Sequence, residues 1–128
     1  MKKVIATENA PAAIGTYSQG VIAGGVLYVS GQIPLVPDSM ALVGEDVTLQ
    51  IRQVFENLSG VIEAAGATLN DTIKFTVYLT DLSHFPKVNE IMSGLLSEPY
   101  PARVAVEVSG LPRGALIEID AIVALPNQ

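Results

Sequence analysis

The sequence predicts an α+β fold in which two helices cover one face of a five- or six-stranded sheet. Three observations predict it: an apolar stripe at helical spacing from Val47 to Ala65, strict alternation from Ile73 to Leu79, and the order strands, helix, strand, helix, two strands. Ile22–Ser30 reads as a hairpin turned at Gly24-Gly25, with Leu27 and Val29 facing one way and Tyr28 and Ser30 the other. Gly31-Gln32-Ile33-Pro34 ends it, and Pro37 to Gly44 is a loop. In the first helix Val47, Ile51, Val54, Phe55, Leu58, Val61, Ile62 and Ala65 share a face; Glu45-Asp46 suits its start and Gly66 its C′ position. In the next strand Ile73, Phe75, Val77 and Leu79 form the buried side, opposite Lys74, Thr76 and Tyr78. The second helix, capped by Ser83 or Asp81 with Pro86 in its first turn, buries Phe85, Val88, Ile91, Met92 and Leu95. Strands Ala102–Val108 and Leu116–Leu125, joined by the turn Gly110 to Gly114, complete the sheet. Val104, Val106 and Val108 are expected inside, as are Ile117, Ile119, Ala121 and Val123.

A chain of 128 residues makes one domain, 1–128, at roughly 100–200 residues per domain. Hydrophobic residues make up 49% of it and mean hydropathy is +0.43, which excludes a disordered chain. Seven basic and thirteen acidic side chains leave a net charge of −6, a poor balance for gripping phosphates, so no nucleic-acid partner is expected. The absence of cysteine excludes disulfides, a thiolate nucleophile and cysteine-based metal sites. One histidine, His84, cannot build a multi-histidine metal cage. The longest apolar stretch, Gly20 to Val29, is half the length of a membrane span and is broken by glycines. The run Met1 to Ala6 imitates a signal peptide but turns polar at Thr7-Glu8-Asn9. A cytoplasmic protein with no membrane partner is the expectation.

Parity divides the sheet. If the aliphatic positions pack on the helices, the other face carries Tyr28, Ser30, Lys74, Thr76, Tyr78, Arg103, Ala105, Glu107, Glu118 and Asp120. Such a face is either solvated or a site or subunit contact. Arg103 and Glu118 then share it. Arginine offers a planar fork for a carboxylate, and a buried glutamate can hold a water and move its proton. The alternative is that they pair with each other, or with Glu107 or Asp120. His84 reads as a loop or cap residue without a catalytic role. The glycines between Gly15 and Gly31 make no phosphate-binding fingerprint, and no lysine stands in a recognisable Schiff-base context.

The run Pro101-Ala102-Arg103-Val104-Ala105-Val106-Glu107-Val108-Ser109-Gly110-Leu111, followed by Ile117-Glu118-Ile119, resembles the C-terminal signature of the Rid (YjgF-like) family of reactive-intermediate deaminases. Pro11 to Gly20 and Leu27 to Pro34 resemble its N-terminal blocks, and Asn57 to Ala67 and Thr76 to Leu82 its middle, so nearly the whole chain is covered. The resemblance implies a chorismate-mutase-like fold, a mixed six-stranded sheet with two helices packed on one face, assembled as a homotrimer with clefts between subunits. It implies hydrolysis of 2-aminoacrylate and related enamine or imine acids to 2-keto acids and ammonia, without metal or organic cofactor, downstream of pyridoxal-phosphate dehydratases. By position it makes Arg103 the carboxylate-binding residue and Glu118 the water-activating one, and places Tyr17, Ser30, Gly31 and Asn89 in the cleft. The family commonly has cysteine where this chain has Ala105, so only the backbone N–H is left there as an anchor.

The residues suit that chemistry. Arg103 would clamp the carboxylate by two parallel charge-assisted bonds. Glu118 would orient water toward the C=N carbon and then return a proton to nitrogen, with Tyr17 and Ser30 bonding the nitrogen or the water. The rival is a trimer that binds keto or amino acids in a regulatory role without turnover. Glu118 separates the two, because binding an anion gains nothing from a nearby carboxylate. RNA cleavage, a label some relatives carry, fits least well, given the net charge of −6 and the missing histidine pair.

Overall fold

In the computed structural model, which describes residues 1–126, strands β1 (Lys3–Ile5), β2 (Gly20–Ala23) and β3 (Val26–Gln32) form an antiparallel meander. Helix α1 (Val47–Ala64), β4 (Thr72–Leu79), α2 (Phe85–Leu95), β5 (Ala102–Glu107) and β6 (Ile117–Ala124) follow. The sheet runs β1-β2-β3-β6-β4-β5. Only the β4–β5 pair is parallel, with α2 in the connection between them, so the sheet is mixed. Both helices pack on one face, as expected: Ile51, Val54, Leu58, Val61 and Ile62 of α1 and Val88, Ile91 and Met92 of α2 join Leu27, Phe75, Val77, Ile117, Ile119 and Val123 in one core.

The ends of α1 follow from its sequence. The Asp46 carboxylate accepts the Leu49 N–H at 3.0 Å. At the other end Gly66 takes φ 87°, its N–H donating to Glu63 and that of Ala67 to Ile62, a Schellman closure. Two buried amides on α1 tie down loops that frame the site. Asn57 donates to the Ile33 and Leu35 carbonyls, and Gln50 bridges the Gly44 carbonyl and the Leu116 N–H.

Several expectations need correction. β1 falls in the segment read as a brief signal-like run; three residues are too few to show a period. Ile73 is 46% exposed because the β4–β6 register shifts between Thr72 and Lys74, turning Thr72 inward in its place. Leu95 is exposed at the end of α2. Neither Ser83 nor Asp81 caps α2 directly: Asp81 caps the 3₁₀ turn Leu82–His84, which leads into the helix. The largest correction concerns β5. Val104 and Val106 are exposed, and it is Ala105 that packs against the core.

Candidate active site

On β6 the buried positions Ile117, Ile119 and Ala121 leave Glu118 and Asp120 on the face without helices. Across from them β3 bulges: Val29 pairs with Ala121 and Gln32 with Ile119, so Ser30 and Gly31 together stand opposite Asp120. This bulge makes room for the glutamate. A Cβ on Gly31 would collide with the Glu118 carboxylate and lie 2.9 Å from its Cδ. The Ser30 hydroxyl donates to the Ser18 carbonyl at 2.5 Å, and the buried Gln19 amide donates to the Thr7, Ala10 and Pro11 carbonyls. These bonds tether the loop carrying Ile14 and Tyr17, where the Tyr17 hydroxyl accepts the Ile14 N–H at 3.3 Å. Tyr17, Ser30, Gly31 and Glu118, walled by Ile14, Ile33 and Pro112, line an open cleft of about 430 Å³.

Burial, and then the neighbouring Asp120 carboxylate, push Glu118 above the usual carboxylate range. Tyr78, opposite Glu118 on β4, donates its hydroxyl to Asp120 at 3.0 Å. Burial, that bond and the two acidic charges raise Tyr78 as well.

Arg103 lies elsewhere. It is in register with Phe75, which is fully buried beneath the helices, so its side chain starts on the helix side of the sheet. There it donates to Asn89 Oδ1 at 2.9 Å and Met92 Sδ at 3.8 Å, with the guanidinium carbon 4.6 Å from the Phe85 ring centre. No carboxylate among the described residues comes within 4.0 Å of it. Glu107 is engaged by the Leu82 N–H at 2.9 Å, and Asp120 by Tyr78. The pocket that Arg103 lines with Asn89, Met92, Leu96, Tyr100 and Pro101 has about 320 Å³. Two residues along β5, the outer edge offers another donor. Val108 N–H bonds the Leu79 carbonyl at 2.8 Å, so alternation turns the Ala105 N–H outward, to the unpaired side.

The seven sequence-predicted site residues therefore form two half-sites. Glu118, Tyr17, Ser30 and Gly31 meet on the open face, while Arg103 and Asn89 meet beside α2, with Ala105 on the same strand. The expectation that Arg103 and Glu118 share a face is overturned, because the parity of β5 is the reverse of the expected one. Sequence reasoning misses Phe85 and Met92 as partners of the arginine, since it counts them as core. Their spacing with Asn89, at i, i+4 and i+7 on α2, is the available signal.

Glu118 owes its seat to Gly31, so Gly31→Ala should displace the carboxylate. If Glu118 is a reacting group, a shift of about 1 Å there costs roughly 100-fold. The expected result is a turnover loss of that order. Any anion binding at Arg103, on the far half-site, should survive, as a keto-acid titration would show.

The described residues hold no group of three or more His, Cys, Asp or Glu arranged for a metal ion, and no helix long and apolar enough to cross a membrane. Residues 7–125 match the family described as endoribonuclease L-PSP. A RutC family protein of Pyrococcus horikoshii is 54% identical over 122 residues, 95% of this chain and 97% of its own length. The 2-iminobutanoate/2-iminopropanoate deaminase of Salmonella typhimurium is 49% identical over 125 residues, 95% of this chain and 97% of its own. The crystal structure of RidA from an Antarctic Psychrobacter superposes with a TM-score of 0.92 at 50% identity, covering 96% of this chain and 99% of that one.

Proposed function

The chain belongs to the Rid (YjgF-like, endoribonuclease L-PSP) family, and from that premise we propose that it hydrolyses reactive 2-enamine and 2-imine acids to 2-keto acids and ammonia. The observation that carries the proposal is Glu118: a half-buried carboxylate with raised proton affinity, seated by a glycine in a cleft beside Tyr17 and Ser30. A general base and acid needs that poise near neutral pH.

The Arg103 guanidinium, joined by the Ala105 N–H, binds the substrate carboxylate. Water held by Glu118 adds to the C=N carbon of the protonated imine, the tautomer to which the enamine converts, forming the C–O bond while Glu118 takes the proton. The carbinolamine nitrogen then receives that proton, the C–N bond breaks as the hydroxyl gives its own proton back to Glu118, and ammonia leaves with its electron pair. The oxygen from water remains as the keto oxygen. Neither half-site suffices alone. A closed head-to-tail ring brings unlike surfaces together, so it can set Arg103 of one copy against Glu118 of the next. We take the ring to be a homotrimer. The exposed Tyr28, Val104 and Val106 on the sheet face suit burial between subunits better than contact with water. A cytoplasmic site of action beside pyridoxal-phosphate dehydratases, which release such imines, completes the reading.

One observation favours the rival, an acid-binding protein without turnover: the arginine half-site lies within a single chain and has no carboxylate of its own. The deciding experiment generates 2-aminoacrylate with a dehydratase and follows ammonia release, with the mass of the protein measured on the same preparation. Faster release from a particle three times the 13.5 kDa chain supports the proposal. Unaccelerated release with keto-acid binding intact favours the rival, and a monomer removes the shared cleft.

A further inference from the structure

We propose that Arg113 forms a second anion subsite beside Glu118, selecting 2-imino acids whose side chain ends in a carboxylate. This deepens, and rests on, the imine-hydrolase reading above. The Glu118 cleft adjoins another of about 300 Å³, and the two share the walls Ile14, Tyr17, Gly31, Ile33 and Pro112. Arg113 lines the second cleft and not the first. Between the reacting position at Glu118 and this cation the wall is mostly aliphatic.

The backbone commits the arginine to that place. Arg113 has φ 62° and ψ 18°, in the left-handed region that side chains disfavour, between Pro112 and Gly114 at φ 70°. A turn needing this conformation is cheaper with glycine or asparagine, so the guanidinium is held at some cost in strain. Among the described residues it has no carboxylate within 4.0 Å. On a chain of net charge −6, whose overall field repels anions, this uncompensated cation is the local feature beside the Glu118 cleft that can attract one.

Substrate geometry supplies the rest. With the α-carboxylate on Arg103 and the imine carbon at Glu118, the side chain is the part left to run along the aliphatic wall. A short alkyl side chain ends on that wall. The imine of an acidic amino acid carries a second carboxylate that meets Arg113. Because Arg113 is exposed, solvent screens the contact, and a preference of roughly two- to fivefold is expected.

The test titrates 2-oxoglutarate and 2-oxobutanoate into the whole protein by calorimetry. In parallel, the corresponding imines are generated by an amino-acid oxidase and their hydrolysis is followed. Wild type should prefer the dicarboxylate in both measurements. Arg113→Asn, whose side chain tolerates the left-handed turn, should lower that preference roughly two- to fivefold, and Arg113→Lys should keep most of it. An unchanged ratio in Arg113→Asn, or no preference in wild type while the monocarboxylate imine is still hydrolysed, overturns the subsite alone. So does a changed particle mass with the ratio intact, which would make Arg113 a subunit contact. If neither imine is hydrolysed, the imine-hydrolase reading has itself failed and the subsite falls with it.

Discussion

Arg103→Ala should abolish most deamination while leaving the fold nearly intact. Its guanidinium lies over Phe85 and beside Asn89 at the surface, and an exposed cation–π contact contributes about 0.5–1 kcal/mol. The melting temperature should therefore fall by only a few degrees. Substrate loses far more. In the proposed cleft between copies the contact is desolvated, and truncating one partner of such a charge pair costs about 2–5 kcal/mol, a loss of roughly 30-fold to several thousandfold. Arg103→Lys should recover only part, since a point charge cannot reproduce the two-pronged geometry. It would also place an ammonium where a planar guanidinium now stacks on Phe85. Melting, particle mass and deamination, all measured on one preparation, distinguish the possible roles. Unfolding or dissociation of Arg103→Ala makes the residue structural, and persisting activity removes the carboxylate clamp.

The reversed parity of β5 shows where sequence reasoning loses its grip. On β6 the aliphatic positions Ile117, Ile119, Ala121 and Val123 do face the helices, because that strand lies inside the sheet with a core on one side. β5 is an edge strand, and its valines face the open side while the small Ala105 touches the core. An alternating pattern reports which face is apolar, not what that face is packed against. When the open face itself is apolar, the two answers diverge. At Ile73 the failure is different: a register shift inserts one residue, and period-two reasoning cannot see it.

The site is legible in unequal parts. Tyr17, Ser30, Gly31 and Glu118, which the family resemblance groups, do come together, and the structure adds the reason: a bulge in β3 and a missing Cβ. Asn89 stands beside Arg103, although the two are 14 residues apart in the chain. The separation of Arg103 from Glu118 is not legible. It depends on the parallel register of β5 against β4, a long-range pairing with no local signature.

Glu118→Gln should separate chemistry from binding and, at neutral pH, stabilise the protein. The amide matches the carboxylate in size but cannot take a proton from water and return it, so deamination should fall about 10²–10⁴-fold. Keto-acid affinity should hold if, as proposed, Arg103 and the Ala105 N–H bear the carboxylate. The stability effect follows from linkage. Burial and Asp120 make Glu118 bind its proton more tightly in the folded chain than in the unfolded one. Its favourable contribution is therefore full below the ordinary glutamate range and is lost as pH rises through the raised folded value. At pH 7 the ionised group opposes folding, beside an Asp120 already bonded to Tyr78. The neutral amide removes that opposition. Glu118→Gln should thus melt above wild type at pH 7, and the gap should close as the buffer is acidified below the ordinary glutamate range. Melting curves across that interval, set beside the coupled ammonia assay, test both halves. Unchanged turnover would take the proton-moving role from Glu118, and a melting gap that stays constant with pH would show that its raised proton affinity does not act on folding.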